Sequence, residues 1–433
     1  MLTAETLFAN TGFSSPTPMQ NEYWTKAKDF SILLSMTGSG KTLAFLLHSE
    51  QKISTTPFHQ VLILCPTREL AFQVAKNYTS LRSGRKTVLC YGGHSFKNEE
   101  LQLREGPEVV IGTPGRILDH YKRQTSGLAP FDHLILDEYD KILELGFSKE
   151  INEIIEFSSQ LKSIQLISAT EIEELPGNFK NYPFSTFSFL STEQPVINYF
   201  SIESIGHDKL HALVAFLSSK VFGPTLVFCS HRETADRISQ HLTEYGKQNV
   251  VFHGGMEQID RERSLIKFKN NSVDCLVCTD LAARGLDIPD IDAVIHYQFP
   301  PTEAEFIHRN GRTARMKTNG NVYLLHSENE PLPSYTKNFE VKKLEISAEI
   351  KEFSNSNWTT YYLSAGRKQK IRKIDIVGFL LQEVKIPKEH LGLIEVMDSY
   401  TYVAISTEEK NTLKTLFPRV RIKKQPVLLS YCR

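Results

Sequence analysis

No apolar run in this sequence approaches the roughly 20 residues that a membrane-spanning helix needs, so no such helix is expected. No basic segment followed by an apolar stretch opens the chain, which argues against a secretory leader. Cysteine is scarce: six among 433 residues are too few for a disulfide framework. Their placement in apolar segments suits a reducing, cytoplasmic setting. Low-complexity tracts are absent, and 40% apolar with 23% charged residues is a globular composition. The length fits about three domains. Net charge is also lacking, with 50 basic and 50 acidic side chains. The balance is uneven, however. Residues 359–433 carry 14 basic and 7 acidic side chains, and residues 1–358 carry 36 and 43. So acidic a body is a poor general polyanion binder, and the basic tail is the part suited to meet phosphate. On charge alone, a solvated basic face explains the tail equally well.

What the sequence does have is a series of short apolar runs rich in Val, Ile and Leu. SILLSM (31–36), VLILCP (61–66), TVLCYG (87–92), VVIGTP (109–114), LILDEY (134–139) and QLISAT (165–170) form one series. TLVFCS (225–230), VVFHGG (250–255), CLVCTD (275–280), AVIHYQ (293–298) and NVYLLH (321–326) form another. Continuous apolar strands alternating with helical-period stretches predict parallel sheet buried on both faces. Two α/β domains of similar build are expected, spanning 1–190 and 191–348. A polar linker at 349–358 and a small domain at 359–433 complete the chain. Ligands of such sheets bind beyond the carboxyl ends of the strands, so the residues at the end of each run are the first candidates for a site.

After the first run comes Ser35-Met36-Thr37-Gly38-Ser39-Gly40-Lys41-Thr42, then an apolar helical stretch. This is a phosphate-binding loop in its expected strand-to-helix context. Gly38 and Gly40 let backbone N–H groups, with those of Thr37 and Ser39, wrap phosphate oxygens at a helix N-terminus. Lys41 is suited to the β/γ-phosphates and the Thr42 hydroxyl to Mg2+. Further on, Asp137 and Glu138 end the run LILDEYD. A carboxylate at Asp137 can hold Mg2+, and Glu138 can orient and polarise an attacking water. This half of the chain is expected to bind ATP and hydrolyse it.

Ten short segments in a fixed order then resemble a family, the DEAD-box ATP-dependent RNA helicases. They are GFSSPTPMQ (12–20), SMTGSGKT (35–42), PTREL (66–70), GG (92–93), TPGR (113–116), DEYD (137–140), SAT (168–170), HGGMEQIDR (253–261), TDLAARGLD (279–287) and HRNGRTAR (308–315). The resemblance implies two tandem RecA-like domains. It implies adenine recognition by Gln20, whose amide offers a donor and an acceptor. It implies ribose and phosphate contacts from Gly285 and Asp287, and arginine fingers at Arg312 and Arg315. Arg309, Arg312 and Arg315 are spaced to share one face if the segment is helical. Ser168, Thr170 and His308 are implied to couple the nucleotide to domain movement. Pro66, Thr67, Arg68, Gly92, Gly93, Thr113, Pro114, Gly115 and Arg116 are implied to grip single-stranded RNA, with Arg261 and Thr279 from the second domain. Such contacts suit a sugar–phosphate backbone and make the core nearly blind to base sequence. Three departures stand out. Tyr139 replaces an Ala beside the acids, Gln298 replaces an Asp, and the aromatic that the family places upstream of residue 12 has no match.

The tail reads as βαββαβ, an RRM-like α+β order without an aromatic RNP signature. GRKQKIRKIDIVGFLL (366–381) and LGLIEVMDSYTYVAI (391–405) resemble the C-terminal RNA-binding domain of DbpA-type bacterial helicases. This implies that Lys368, Lys370, Arg372 and Lys373 contact a hairpin of ribosomal RNA, in pre-ribosomal particles of the large subunit. The pair Cys275 and Cys278 has metal-site spacing, but residues three apart on a strand face opposite ways and no second pair exists. The expectation is a monomeric RNA-dependent ATPase that opens short duplexes. Two rivals are an RNA clamp whose hydrolysis Tyr139 cripples, and a DNA translocase.

Overall fold

The computed structural model describes residues 4–432 except 37, 56–59, 94, 129, 159–160, 173–174, 176–178, 191–195, 205, 207, 220–221, 284–287, 289–290 and 314–318. The first sheet comprises β1 (Phe30–Ser35), β2 (Val61–Leu64), β3 (Thr87–Cys90), β4 (Val109–Gly112), β5 (His133–Leu136), β6 (Ser163–Ser168) and β7 (Ser185–Phe189). All pairings are parallel, in the order β3-β4-β2-β5-β6-β1-β7. Alternate residues divide between two cores. Ile63, Ile111, Ile135 and Ile167 face one side, and Leu62, Val110, Leu134 and Leu166 face the other. Helices cover both sides, which is why the strands read as unbroken apolar runs rather than alternating ones.

The second sheet comprises β8 (Val196–Ser204), β9 (Thr225–Phe228), β10 (Val250–Phe252), β11 (Cys275–Cys278), β12 (Ala293–His296), β13 (Asn319–Ser327) and β14 (Val341–Lys343). Its order, β10-β11-β9-β12-β13-β8-β14, is that of the first sheet displaced by seven. The two domains are therefore topological copies. Cys275 and Cys278 are both buried in β11.

The tail forms a five-stranded antiparallel sheet from β15 (Trp358–Leu363), β16 (Leu391–Val396), β17 (Thr401–Ser406), β18 (Arg419–Ile422) and β19 (Gln425–Tyr431), ordered β16-β17-β15-β19-β18. The expected single last strand is thus two, because Lys423 and Lys424 both take positive φ and turn the chain back. Helix Lys373–Gly378 and its continuation pack Ile376, Phe379 and Leu380 against the sheet.

The first sheet domain forms one compact unit, and the second sheet domain forms another together with the tail. The stretch between the second domain and the tail is laid down on protein. Leu344, Ile346, Ile350 and Phe353 pack against the second domain's core, and the Lys351 N–H donates to Ser218 Oγ at 3.0 Å. Ser356 Oγ donates to Asn271 O at 2.5 Å. The polar linker expected at 349–358 is a packed strap.

Candidate nucleotide and RNA site

β1 is buried along almost its whole length and delivers the chain to a loop that only glycine can build in places. Gly38 has φ +85° and Gly40 φ +91°, where a side chain is strained. A Cβ on Gly40 would also collide with the Gln20 amide. Gln20 is placed by a reciprocal cap of helix Pro18–Lys26. Thr17 Oγ1 accepts from Gln20 N, and Gln20 Oε1 accepts from Thr17 N at 2.9 Å. Its Nε2 then donates to Gly40 O at 3.1 Å, so the predicted adenine reader is locked onto the phosphate loop. Lys41 starts helix Lys41–Thr55, and its ammonium donates to the carbonyls of Ser35 and Met36. Ser35 Oγ donates to Ser39 Oγ at 2.8 Å, and Thr42 comes next, half-buried in the first helical turn. Thr37 lies outside the described residues.

β5 leads to the acids. Asp137 is 2% exposed, and its Oδ1 accepts from the Glu138 N–H at 3.0 Å. Its Oδ2 is buried with no hydrogen-bond partner among the described residues. Burial and the neighbouring Glu138 raise the Asp137 carboxyl to about 7, against the opposing charge of Lys41. A divalent cation would satisfy that orphan oxygen and favour its ionised form, so the donor set of Asp137 and Thr42 fits Mg2+. Glu138 sits in the left-handed region at φ +49°, an unusual conformation for a non-glycine residue and one that recurs at functional sites.

Tyr139 does not crowd these acids. Its ring is 1% exposed and meets Phe179 edge-on at 6.0 Å, inside the core behind the strand ends. The connection between the acids and SAT runs instead through Asp140, a residue the sequence did not single out. Thr170 Oγ1 donates to Asp140 Oδ2 at 3.1 Å, and Ser168 Oγ donates to Thr170 O at 2.7 Å. The sequence signal was adjacency alone, since Asp140 is the fourth letter of DEYD.

The segments expected to face RNA converge beyond β2, β3 and β4. Pro66 lies in the turn after β2, Thr67 caps helix Arg68–Ser80, and the Arg68 guanidinium lies across Gly92 and Gly93. A Cβ on either glycine would stand 2.8–3.0 Å from that guanidinium, and Gly93 also takes φ +94°, where a side chain is strained. Thr113 and Pro114 begin helix Pro114–Lys122, with Gly115 exposed and Arg116 in the first turn. Arg116 is held by a residue missed in the sequence, Glu99. Glu99 is 3% exposed and accepts from Arg116 Nε at 2.6 Å and from Tyr91 N at 3.1 Å. His120 Nε2 lies 2.8 Å from the same carboxylate. Cys90 completes a ligand-like group within 4.8 Å. The guanidinium already occupies Glu99 and would repel a cation, so this is an ion-pair node rather than a metal site. Phe96 adds to it, stacking on His120 at 4.2 Å beneath the Arg116 and Arg123 guanidinium groups.

In the second domain, Arg261 is buried on helix Gln258–Lys269 and bonds Gln258 Oε1, while Thr279 lies half-buried just past β11. His308 lies buried in helix Glu303–Asn310, which ends before Arg312, so the expected arginine face does not form as one helical stripe. Gly311 closes that helix, and Arg312 lies buried in the turn beyond. Arg309 is fully buried and structural. It grips Asp280 with two bonds of 2.6 and 2.9 Å and reaches Gln298 O at 2.7 Å. Gln298 itself accepts from Ser230 N at 2.9 Å within this domain. Gly285, Asp287 and Arg315 lie outside the described residues. In the tail, Lys368, Lys370, Arg372 and Lys373 are all exposed, within one short segment.

Residues 17–176 match the model of the DEAD/DEAH box helicases, 208–317 that of the helicase conserved C-terminal domain, and 360–430 that of the DbpA RNA binding domain. The ATP-dependent RNA helicase DbpA of Escherichia coli K12 is 32% identical over 384 residues, covering 85% of this chain and 83% of that protein. The DbpA of Bacillus subtilis 168 is 30% identical over 435 residues, covering 91% and 90%. Among solved structures, Mss116p bound to ssRNA and AMP-PNP aligns with a TM-score of 0.70 at 26% identity, over 80% of this chain and 78% of that one. The fold is also that of Saccharomyces cerevisiae Dbp5 bound to RNA and ADP BeF3, with a TM-score of 0.68 at 22% identity over 79% and 94%. Across all three domains, the chain belongs to the DEAD-box ATP-dependent RNA helicases that carry a DbpA RNA-binding domain.

Proposed function

We propose that this helicase is an RNA-dependent ATPase that opens short duplexes in ribosomal RNA during large-subunit assembly, as a monomer in the cytoplasm. The observation that carries the reading is the DbpA-type tail, with Lys368, Lys370, Arg372 and Lys373 clustered on it. Six buried thiols suit a reducing compartment. On ATP binding, the Lys41 ammonium exchanges the Ser35 and Met36 carbonyls for the β/γ-phosphates, alongside the loop N–H groups from Thr37 to Lys41. Thr42 and Asp137 would hold Mg2+, which when bound would neutralise charge on the phosphates. Glu138 orients the attacking water and accepts its proton. Arg312 and Arg315 stabilise the transferring phosphoryl group, as guanidinium does for spread negative charge. Gln20 reads adenine, and Gly285 and Asp287 contact ribose and phosphate.

The RNA-facing set grips backbone, so selectivity resides in the tail. The Tyr139 ring packs on Phe179 in the core, which supports active turnover over a clamp crippled at that position. The test is steady-state phosphate release by the full chain, with a ribosomal RNA hairpin fragment or a generic single strand of equal length. RNA should stimulate release, with half-saturation at a lower concentration for the ribosomal fragment. Neutralising Lys368, Lys370, Arg372 and Lys373 together should erase that difference. Equal half-saturation in the unaltered protein would sink the ribosomal reading. Release indifferent to any RNA would sink the RNA-dependent ATPase, and stimulation by DNA alone would favour a translocase.

A further inference from the structure

The tail is seated on the second domain by helix Gln258–Lys269. Ile266 packs with Tyr402 and Cys432, and Tyr400 donates its hydroxyl to Glu262 at 2.8 Å. Ser272 and Thr360 share a hydrogen bond of 2.6 Å. Beside this seam lies a cavity of about 760 Å3, within the size range of ligand pockets. It is walled by the end of helix Arg232–Glu244 and the loop after it, by the strap, and by β15 and β19.

The chemistry of its walls is one-sided. Lys247, Lys267 and Lys410 line it, and none of the described lining residues is acidic. Lys247 is neutralised by Asp274 at 2.7 Å, outside the lining. Lys267 and Lys410 have no ion-pair partner among the described residues. Burial lowers the Lys267 pKa, the mark of an ammonium short of both water and counter-ion. Lys410 stands over the half-buried Tyr431 ring, 5.9 Å from its centroid. Trp358 is the second half-buried aromatic of the lining, and side-chain amides such as Asn355 and Gln248 complete it. Unpaired cations, aromatic faces and amides together are what a single nucleic-acid strand asks for.

We infer that this cavity is a second RNA site, separate from the tail cations at 368–373. It would hold a short single-stranded segment with phosphates on Lys267 and Lys410 and a base against Tyr431 or Trp358. The inference rests on the reading of the chain as an RNA-dependent helicase. Its place at the seam means that a strand bound there touches both the second domain and the tail, and so favours their docked arrangement.

The test measures binding of a ten-nucleotide fluorescent single-stranded RNA to the full chain at several salt concentrations. The variant Lys267→Gln/Lys410→Gln should bind several-fold more weakly. Loss of two phosphate contacts should make its slope of log K against log salt shallower by about 1.4. Lys337→Gln/Lys342→Gln, on lysines that do not line the cavity, should leave the slope unchanged. Ultraviolet cross-linking should place adducts on the peptides holding Trp358 or Tyr431, and excess inorganic phosphate at constant ionic strength should not abolish them. An unchanged slope in the first variant, an equal change in the control pair, or adducts confined to 366–373 would overturn the site. Adducts lost to phosphate would reduce it to a free-anion pocket and overturn the strand. RNA-stimulated phosphate release by the unaltered protein is measured in parallel. Its absence would refute the helicase cycle proposed above, while the slopes and adducts would still decide the cavity.

Discussion

Glu99 shows how much one buried carboxylate can arrange. Its two oxygens tie the backbone before Gly92 to Arg116 and His120, so two segments expected to face RNA share one anchor. Removing one partner of a buried ion pair leaves an uncompensated charge and costs about 3–5 kcal/mol when burial is complete. Arg116 is 14% exposed, so the lower end applies. Glu99→Ala should raise the RNA concentration for half-maximal ATPase about tenfold or more, equivalent to at least about 1.4 kcal/mol, with the KM for ATP unchanged. Equal KM values for RNA in variant and parent would show that Arg116 needs no anchor. A second residue, His296, makes stability depend on pH. It is fully buried, bonded to Asn310 at 2.8 Å, and its imidazole is lowered to about 3 by burial and by the nearby Arg309 charge. The folded state therefore favours the neutral ring. That contribution is complete above the unfolded value of about 6.5 and is lost as pH falls from there toward 3. Between pH 7 and pH 5 the second domain should lose about 2 kcal/mol from this ring, measured as a drop in urea midpoint. His296→Asn should show a smaller drop, whatever its absolute stability.

At the scale of elements, legibility followed burial. Eleven strands of the two sheet domains were readable because each is an apolar run covered by helices, and their ends carried the phosphate loop and the acids. β7, β8 and β14 escaped. β7 alternates half-exposed and exposed residues, β14 is three residues long, and β8 mixes polar with aromatic side chains. The arginine stripe at 309–315 failed for a local reason, since Gly311 ends the helix before Arg312. Glu99 carried no sequence signal and Asp140 only its adjacency to the acids, because what they do depends on partners brought close by the sheet order. The turn between β18 and β19 is a case where the sequence works against its own structure. Two-residue hairpin turns with positive φ at both positions favour Asn-Gly, yet Lys423 and Lys424 stand there at φ +51° and +65°. Lys423 also pairs with Asp375 at 2.9 Å, whereas Lys424 is exposed. Lys424→Gly should therefore stabilise the tail by about 1 kcal/mol through relief of the left-handed conformation. An unfolding midpoint that falls in this variant would contradict the turn geometry.

For the whole molecule, the question is whether the tail hangs on a tether or rides on the second domain. A free ten-residue connection would let it roam over roughly 16–19 Å, by the scaling of about 5–6 Å times the square root of length. The strap is instead packed, and Ile266, Tyr402 and Cys432 close the seam. An RNA hairpin held by the tail would then be presented to the second domain in one orientation rather than merely nearby, a stronger effect than raised local concentration. Ile266 offers the cleanest way to loosen this arrangement, because its buried contacts are with the tail. Ile266→Ser removes about 2 kcal/mol of apolar burial at the seam and alters no residue assigned to the nucleotide or to an RNA phosphate. Trypsin should then cut the strap at Lys351 several times faster than in the parent, since the strap stays protected only while it is packed. Unwinding of a duplex flanked by the ribosomal hairpin should fall, whereas ATPase activity on generic single strands should not. Unaltered cleavage at Lys351 together with unaltered unwinding would mean that the docked seam contributes nothing, and the tail would return to being a tether.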